Sequence, residues 1–230
     1  PASAELGAVV TQLTTATSAT TATTANISLS SIGPSLAGSW TVDGTTDVSR
    51  DSGLYRVTAT GFDESDLELI GLAGAGVTPA DLKMGVEILT TTDATYLRSS
   101  GGTWQREADI DSQFTDGLGN LTGYTALVNA CQPSAVVAQV DGGTTTRCTL
   151  VVTPAVAQAL GLSDDAAQQL ASRSDSTDIA MDVLTDAQGV LQSLRVDASV
   201  ATFGLTADLR TVVAFSDWNQ PVALPTPPTN

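Results

Sequence analysis

Apolar residues first recur at helical spacing. Leu6, Val9, Val10 and Leu13 fall at i, i+3, i+4 and i+7, which predicts a helix from Ala4 to about Ala19. The Thr- and Ala-rich stretch after it, Thr14–Thr24, has weak helix propensity and blurs its end. From Asn26 to Gly61 the period drops to two. Ile27-Ser28-Leu29 alternates, Ser39–Val42 runs into Asp43-Gly44 as a hairpin turn, and Leu54–Ala59 is a further strand. Leu67–Leu72 is a short apolar run before a loop with Gly74, Gly76 and Pro79. Lys83–Leu89 and Ala94–Arg98 predict a hairpin about Thr92-Asp93, and the chain turns again at Gly101-Gly102 into Thr103–Arg106. Asp109–Phe114 reads as a short helical turn. Tyr124–Ala130 reads as a helix with Leu127 and Val128 on one side.

The second half is dominated by hairpins. Ala135–Val140 and Thr144–Val152 pair around Asp141-Gly142-Gly143. Thr153-Pro154 opens a helix with Thr as N-cap and Pro at the first helical position; Val156, Leu160 and, past a break at Gly161, Leu170 line its buried face. Asp178–Thr185 and Val190–Val200 pair around Asp186-Ala187-Gln188-Gly189, and Leu205–Phe215 is a long last strand. Leu194, Val196, Ala198 and Val200 share one face, with Ser193, Arg195, Asp197 and Ser199 on the other. Such alternation belongs to an antiparallel sheet with one dry and one wet side. No composition break divides the chain. The expectation is one α+β domain over residues 1–230, a large antiparallel sheet with helices packed on one face. Residues 1–4 and about 225–230 are expected to be flexible ends.

Composition narrows the chemistry. Nine basic and 25 acidic residues give a formal net charge of −16, which opposes nucleic acid and anionic-lipid docking through a polybasic patch. It favours a self-repelling monomer. The absence of histidine removes Ser-His-Asp triads, Cys-His pairs and His-ligated zinc. Pairs such as Asp109/Asp111 and Asp164/Asp165 read as solvated surface. Gly71–Gly76 lacks the Lys-Ser/Thr of a phosphate loop. The expectation is a non-enzyme with no catalytic residues, no metal and no cofactor. Trp40 and Trp104 are read as structural, covering sheet ends.

Cys131 and Cys148 flank the Asp141-Gly142-Gly143 hairpin, and a disulfide between them is expected. A bridge implies an extracytoplasmic compartment. Pro1 in place of Met predicts a processed or trimmed chain.

Aromatics are only 4% of the chain, so the dry face is built of aliphatics that leave volume bulky rings would fill. The candidates for an apolar lining are Met84, Val86 and Ile88 on one strand face; Ile179, Met181 and Val183 on another, opposite Leu194, Val196 and Val200; and Phe203, Leu205 and Leu209 continuing it. A closed core would use the same residues. Only an unfilled space beside them separates the two readings.

Four segments in order carry a family resemblance: Tyr96-Leu97-Arg98-Ser99-Ser100-Gly101-Gly102-Thr103-Trp104, Val140-Asp141-Gly142 followed by Thr144-Thr145, Asp186-Ala187-Gln188-Gly189-Val190-Leu191, and Phe215-Ser216-Asp217-Trp218-Asn219-Gln220-Pro221-Val222-Ala223-Leu224-Pro225. Together the chain resembles the actinobacterial LppX/LprA/LprF/LprG lipoproteins, whose architecture is shared by the LolA/LolB carriers and by some anti-sigma regulators. The resemblance implies a half-open β-barrel with helices on its concave face and an apolar cavity for acyl chains of a glycolipid, phospholipid or triacylglycerol. It implies anchoring at the outer face of the cytoplasmic membrane through an acylated N-terminal cysteine that this sequence lacks. It brings no catalytic residues. Two functions are thus expected: a lipid carrier between membrane layers, or a non-enzymatic regulatory or scaffold lipoprotein that binds a membrane transporter or sensor.

Overall fold

The stripe Leu6, Val9 and Leu13 is buried on helix α1 (Ala2–Thr15), which stops short of the expected Ala19. Threonines follow, and their branched Cβ atoms favour extended backbone over helix. The chain enters β1 (Ser18–Ser30) almost at once, well before the alternation at Asn26 signals a strand. The computed structural model describes residues 2–30, 36–63, 77–99, 101–107, 121–151, 153, 156, 177–202 and 205–226. The expected run Leu67–Leu72, the turn Asp109–Phe114, the helix positions Leu160 and Leu170, the pairs Asp109/Asp111 and Asp164/Asp165, and Phe203 lie outside them.

Strand β2 (Leu36–Asp47) corrects the turn expected at Asp43-Gly44. It runs straight through, with Gly44 paired to Thr21 on one side and Tyr55 on the other. A glycine is needed there for another reason: the Tyr55 ring occupies the place a Cβ would take. The real turn comes at Val48–Arg50, a 3₁₀ turn capped by Asp47, whose Oδ1 accepts from the Arg50 N–H at 3.2 Å.

Next come β3 (Ser52–Thr60), helix α2 (Pro79–Met84), β4 (Val86–Thr91), β5 (Ala94–Ser99) and β6 (Gln105–Glu107). Helix α2 takes in Lys83 and Met84, where a strand is expected from the sequence. Thr78 starts it through a reciprocal capping box with Asp81, with Pro79 in its first turn. Gly85, at φ 97°, ends it before Val86.

Helix α3 (Leu121–Asn129), β7 (Cys131–Ala138), β8 (Thr144–Leu150), β9 (Thr177–Thr185), β10 (Leu191–Thr202) and β11 (Leu205–Ser216) follow among the described residues. Both expected hairpin turns form. Asp186 Oδ1 accepts from the N–H groups of Gln188 and Val190, each at 2.9 Å, and Gly189 takes φ 79°. Asp141 Oδ1 accepts from the Gly143 N–H at 3.1 Å, beside Gly142 at φ 88°. Thr153 Oγ1 accepts from the N–H of Val156 at 3.2 Å, as its N-cap reading requires.

The strands make one antiparallel sheet in the order β6-β5-β4-β3-β2-β1-β11-β10-β9-β8-β7. Each strand lies beside its neighbour in sequence, except that β6 and β7 form the two edges, and β1 also pairs with β11. The first and last strands thus join the two halves at the centre, and the curved sheet stays open between β6 and β7. This is the expected α+β sheet with its helices on the inner face. The Cys131–Cys148 disulfide forms, with Cα atoms 5.1 Å apart, and staples the outermost strand β7 to β8.

Two buried clusters lie on this inner face. One joins Val9 and Leu13 of α1 and Leu127 and Val128 of α3 to Ile179, Met181, Val183, Leu194, Val196, Val213 and Phe215. The other gathers Tyr55, Val57, Phe62, Leu82, Val86, Ile88 and Leu97.

Candidate functional site

Directly paired residues in an antiparallel ladder point to the same face. The inner face can therefore be followed across the sheet by register. One row runs Val86, Val57, Val42, Thr23, Val213, Leu194, Val183. The next runs Ala59, Trp40, Ala25, Thr211, Val196, Met181. A third runs Gly38, Ile27, Leu209, Ala198, Ile179.

Burial changes along each row. The first two rows are sealed at both ends and the third at Ile179, but the middle of each is not. Thr23, Ala25, Ile27, Trp40, Val42, Ala198, Leu209 and Thr211 are only half-buried. Trp40 and Val42 touch one cluster and Ala198 the other; Ala25, Ile27 and Leu209 belong to neither. The result is an uncharged, mostly apolar strip over β2, β1, β11 and β10, between two closed cores. Small residues make it. Thr, Ala and Gly at positions 23, 25 and 38 keep the centre of the sheet low, while Trp40 packs against Phe62 with ring centroids 5.5 Å apart.

The inner-facing positions of these rows carry no charge. The charged side chains of the same strands, among them Asp43, Arg56, Glu87, Arg195, Asp197 and Arg210, alternate to the other face. There Asp197 accepts from Arg210 at 2.6 Å and from Arg195 at 2.8 Å. Burial pushes the Asp197 carboxyl up, but these two arginines outweigh it and hold it below the usual carboxylate range.

The polar groups of the inner face are hydroxyls. Tyr124 of α3 reaches across to hydrogen-bond the Thr23 side chain; burial pushes its phenol up to about 12, and that hydrogen bond offsets only part of the rise. Its ring meets Phe215 edge-on at 5.3 Å. Tyr55 Oη lies 2.9 Å from Thr46 Oγ1, and burial raises its phenol too.

An open depression of about 740 Å³ is lined by Ile27, Ala198 and Leu209 together with Asn26, Ser28, Asp197, Ser199, Asp208 and Arg210. Six of those nine are polar and belong to the outward alternation, so this depression is not by itself an acyl seat.

The sequence-derived lining divides accordingly. Val86, Ile88, Ile179, Met181, Val183, Leu194 and Val196 do share the inner face, but each is 3% exposed or less. They are packed core under the helices. Leu209 lies in the half-buried strip. Val200 and Leu205 hold backbone positions in β10 and β11. Met84 requires correction: it ends α2, not a strand, and is 57% exposed, because the capping box at Thr78 and the glycine at 85 make 79–84 helical. Sequence reasoning missed Ala25, Ile27, Val42 and Thr211. Alternation through the Thr-rich β1 would have found the first two. Trp104, just before edge strand β6, carries the Arg98 guanidinium over its ring at 4.4 Å. Among the described residues, no group of three or more His, Cys, Asp or Glu side chains could hold a metal.

No protein-family model matches the sequence, and no curated protein does. Solved structures do match. LprF from Mycobacterium bovis aligns over 98% of this chain and 96% of its own, with 16% identity and a TM-score of 0.55. Lipoprotein LppX from Mycobacterium tuberculosis aligns over 96% of both chains, with 15% identity and a TM-score of 0.50. The chain therefore has the fold of the LppX/LprF lipoproteins.

Proposed function

We propose that this protein is an extracytoplasmic lipoprotein that binds the acyl chains of a lipid on the inner face of its sheet and carries that lipid between membrane layers. The observation behind this reading is the uncharged strip of half-buried aliphatics between two sealed cores. Each methylene hidden there is worth about 0.8 kcal/mol, so a few turns of acyl chain hold a ligand firmly. Ala25, Ile27, Trp40, Val42, Ala198 and Leu209 are the contact residues in this reading. The sealed residues Ile179, Met181, Val183, Leu194 and Val196 form the wall behind them. The ligand is a glycolipid, phospholipid or triacylglycerol, and its polar head stays outside the uncharged face.

The reading needs no catalytic residue and no cofactor. It places the chain at the outer face of the cytoplasmic membrane, tethered through its N-terminus. The disulfide supports an oxidising compartment. The test is uptake of a fluorescent acyl lipid by the purified chain. Saturable uptake that Ala25→Trp and Ala198→Trp abolish supports the proposal. Uptake unchanged in both variants contradicts the strip as the seat.

A further inference from the structure

The two edges of the sheet are built differently. Strand β6 is three residues long, and Arg106 and Glu107 are two of them, so this edge is short and charged, as exposed edges ordinarily are. Strand β7 has eight residues, and Cys131 to Val140 contains no charged residue, in a chain of net charge −16. Val136, Val137 and Val140 are 43%, 46% and 109% exposed. Pro133 has no N–H, and the register shifts between Pro133 and Ala135, so this edge is blunted only in its first half.

The second half of β7 is open. Gln139 turns both backbone groups into the hairpin: its N–H donates to Gly143 and its carbonyl accepts from Gly142. Strand alternation then turns the N–H and C=O groups of Val136 and Ala138 outward, to the free edge.

We propose that this edge pairs with β7 of a second copy of the chain, antiparallel about a two-fold axis at Val137. In that register Val136 of each copy exchanges both hydrogen bonds with Ala138 of the other, and the two Val137 side chains face one another. A self-complementary segment is what a two-fold contact needs, and Ala135 to Gln139 is small and uncharged on both faces. Two acidic copies can approach closely only where neither presents charge, and this segment is such a place. Charges elsewhere on the copies still repel, so the pairing strengthens as salt shortens their reach below the ~8 Å of physiological ionic strength. The inference is independent of what the inner face holds.

The experiment is sedimentation of the whole chain across a concentration series at low and high salt, with two variants. A dimer favoured by concentration and by salt is expected. Val137→Lys sets two ammonium groups opposite each other on the axis and should weaken it about tenfold or more. Val137→Cys adds the one free thiol of the chain, since Cys131 and Cys148 are bridged. It should cross-link as a dimer on mild oxidation, while Val48→Cys, on the exposed 3₁₀ turn, should not. A monomer at every concentration, a dimer indifferent to Val137→Lys, or cross-linking no faster at 137 than at 48 overturns the proposal. So does a monomer whose labelled position 137 becomes buried on phosphatidylcholine vesicles, which assigns the edge to a lipid surface.

Discussion

The side-chain carbonyl of Asn219 accepts a hydrogen bond from the backbone N–H of Thr17 at 2.8 Å, tying the turn after the last strand to the start of the first. Around it, the Asn219 N–H donates to the Ser18 carbonyl at 3.0 Å, and the Ser18 hydroxyl donates to the Gln220 carbonyl at 2.6 Å. Trp218 stacks on Phe215 at 5.3 Å and donates its indole N–H to the Leu191 carbonyl at 3.1 Å. Leu191 in turn donates to Gln12 of α1. The Phe215–Gln220 segment is therefore a clasp that fixes α1 and β1 against β10 and β11. The clasp sits at the end of the sheet where α1 joins β1, and so sets one limit of the half-buried strip.

Asn219 takes φ 57°, where asparagine and glycine are the usual occupants. Asn219→Ala should destabilise the fold by about 1–2 kcal/mol, from a lost hydrogen bond and a strained backbone. Asn219→Gly keeps the backbone and should lose less. Chemical denaturation measures both, and equal losses would show that conformation contributes nothing there.

The Cys131–Cys148 bridge spans 17 residues of sequence and pins an outer strand whose residues beyond Cys131 are all exposed. Cys148→Ser should lower stability by ~3 kcal/mol and the melting temperature by several degrees. Reducing the wild-type protein should do the same. An unchanged melting curve in both cases would contradict a formed bridge.

Tyr124 gives the fold an alkaline limit. Its phenol moves from the ordinary 10.0 up to about 12, because tyrosinate is costlier in the interior than in the unfolded chain. Its contribution is intact below pH 10 and declines as pH rises toward 12, a loss of about 2–3 kcal/mol. Tyr124→Phe should flatten this decline. Tyr55, raised by its own burial, keeps part of the slope in the same direction. A decline as steep in Tyr124→Phe as in wild type would place the titration elsewhere.

Substitutions at two positions of the inner face should separate seat from core. Val183 is 1% exposed within a packed cluster, so Val183→Trp overpacks a filled site and should cost about 1–3 kcal/mol or more of stability. Ala25 is half-buried and outside both clusters, so Ala25→Trp should leave the melting temperature near wild type while blocking lipid uptake. Thermal melts and an uptake assay read the two effects. Equal destabilisation at both positions would mean that the strip is filled.

The hairpins around Asp186–Gly189 and Asp141–Gly143 were legible because side-chain caps and turn glycines are local. The burial of Leu194 and Val196 was legible because period-two alternation reports a face. Two kinds of information were not local. Thr-rich β1 reads as neither helix nor strand until it pairs with β2 and β11, and Gly44 mimics a turn because only the Tyr55 ring opposite explains it. The half-buried strip is the deeper case. Ala25 and Val183 look alike in sequence, and what separates them is that Val183 is sealed in a packed cluster and Ala25 is not. Met84 shows the reverse, a competing local signal: the Thr78 capping box captured a residue that alternation had assigned to β4.

The central claim is tested most directly by native mass spectrometry of the purified chain, before and after incubation with actinobacterial acyl lipids, followed by organic extraction. The account predicts an added mass of several hundred daltons or more, recovered as acyl lipid and lost in Ala25→Trp. A bare 23.4 kDa mass under both conditions would contradict it.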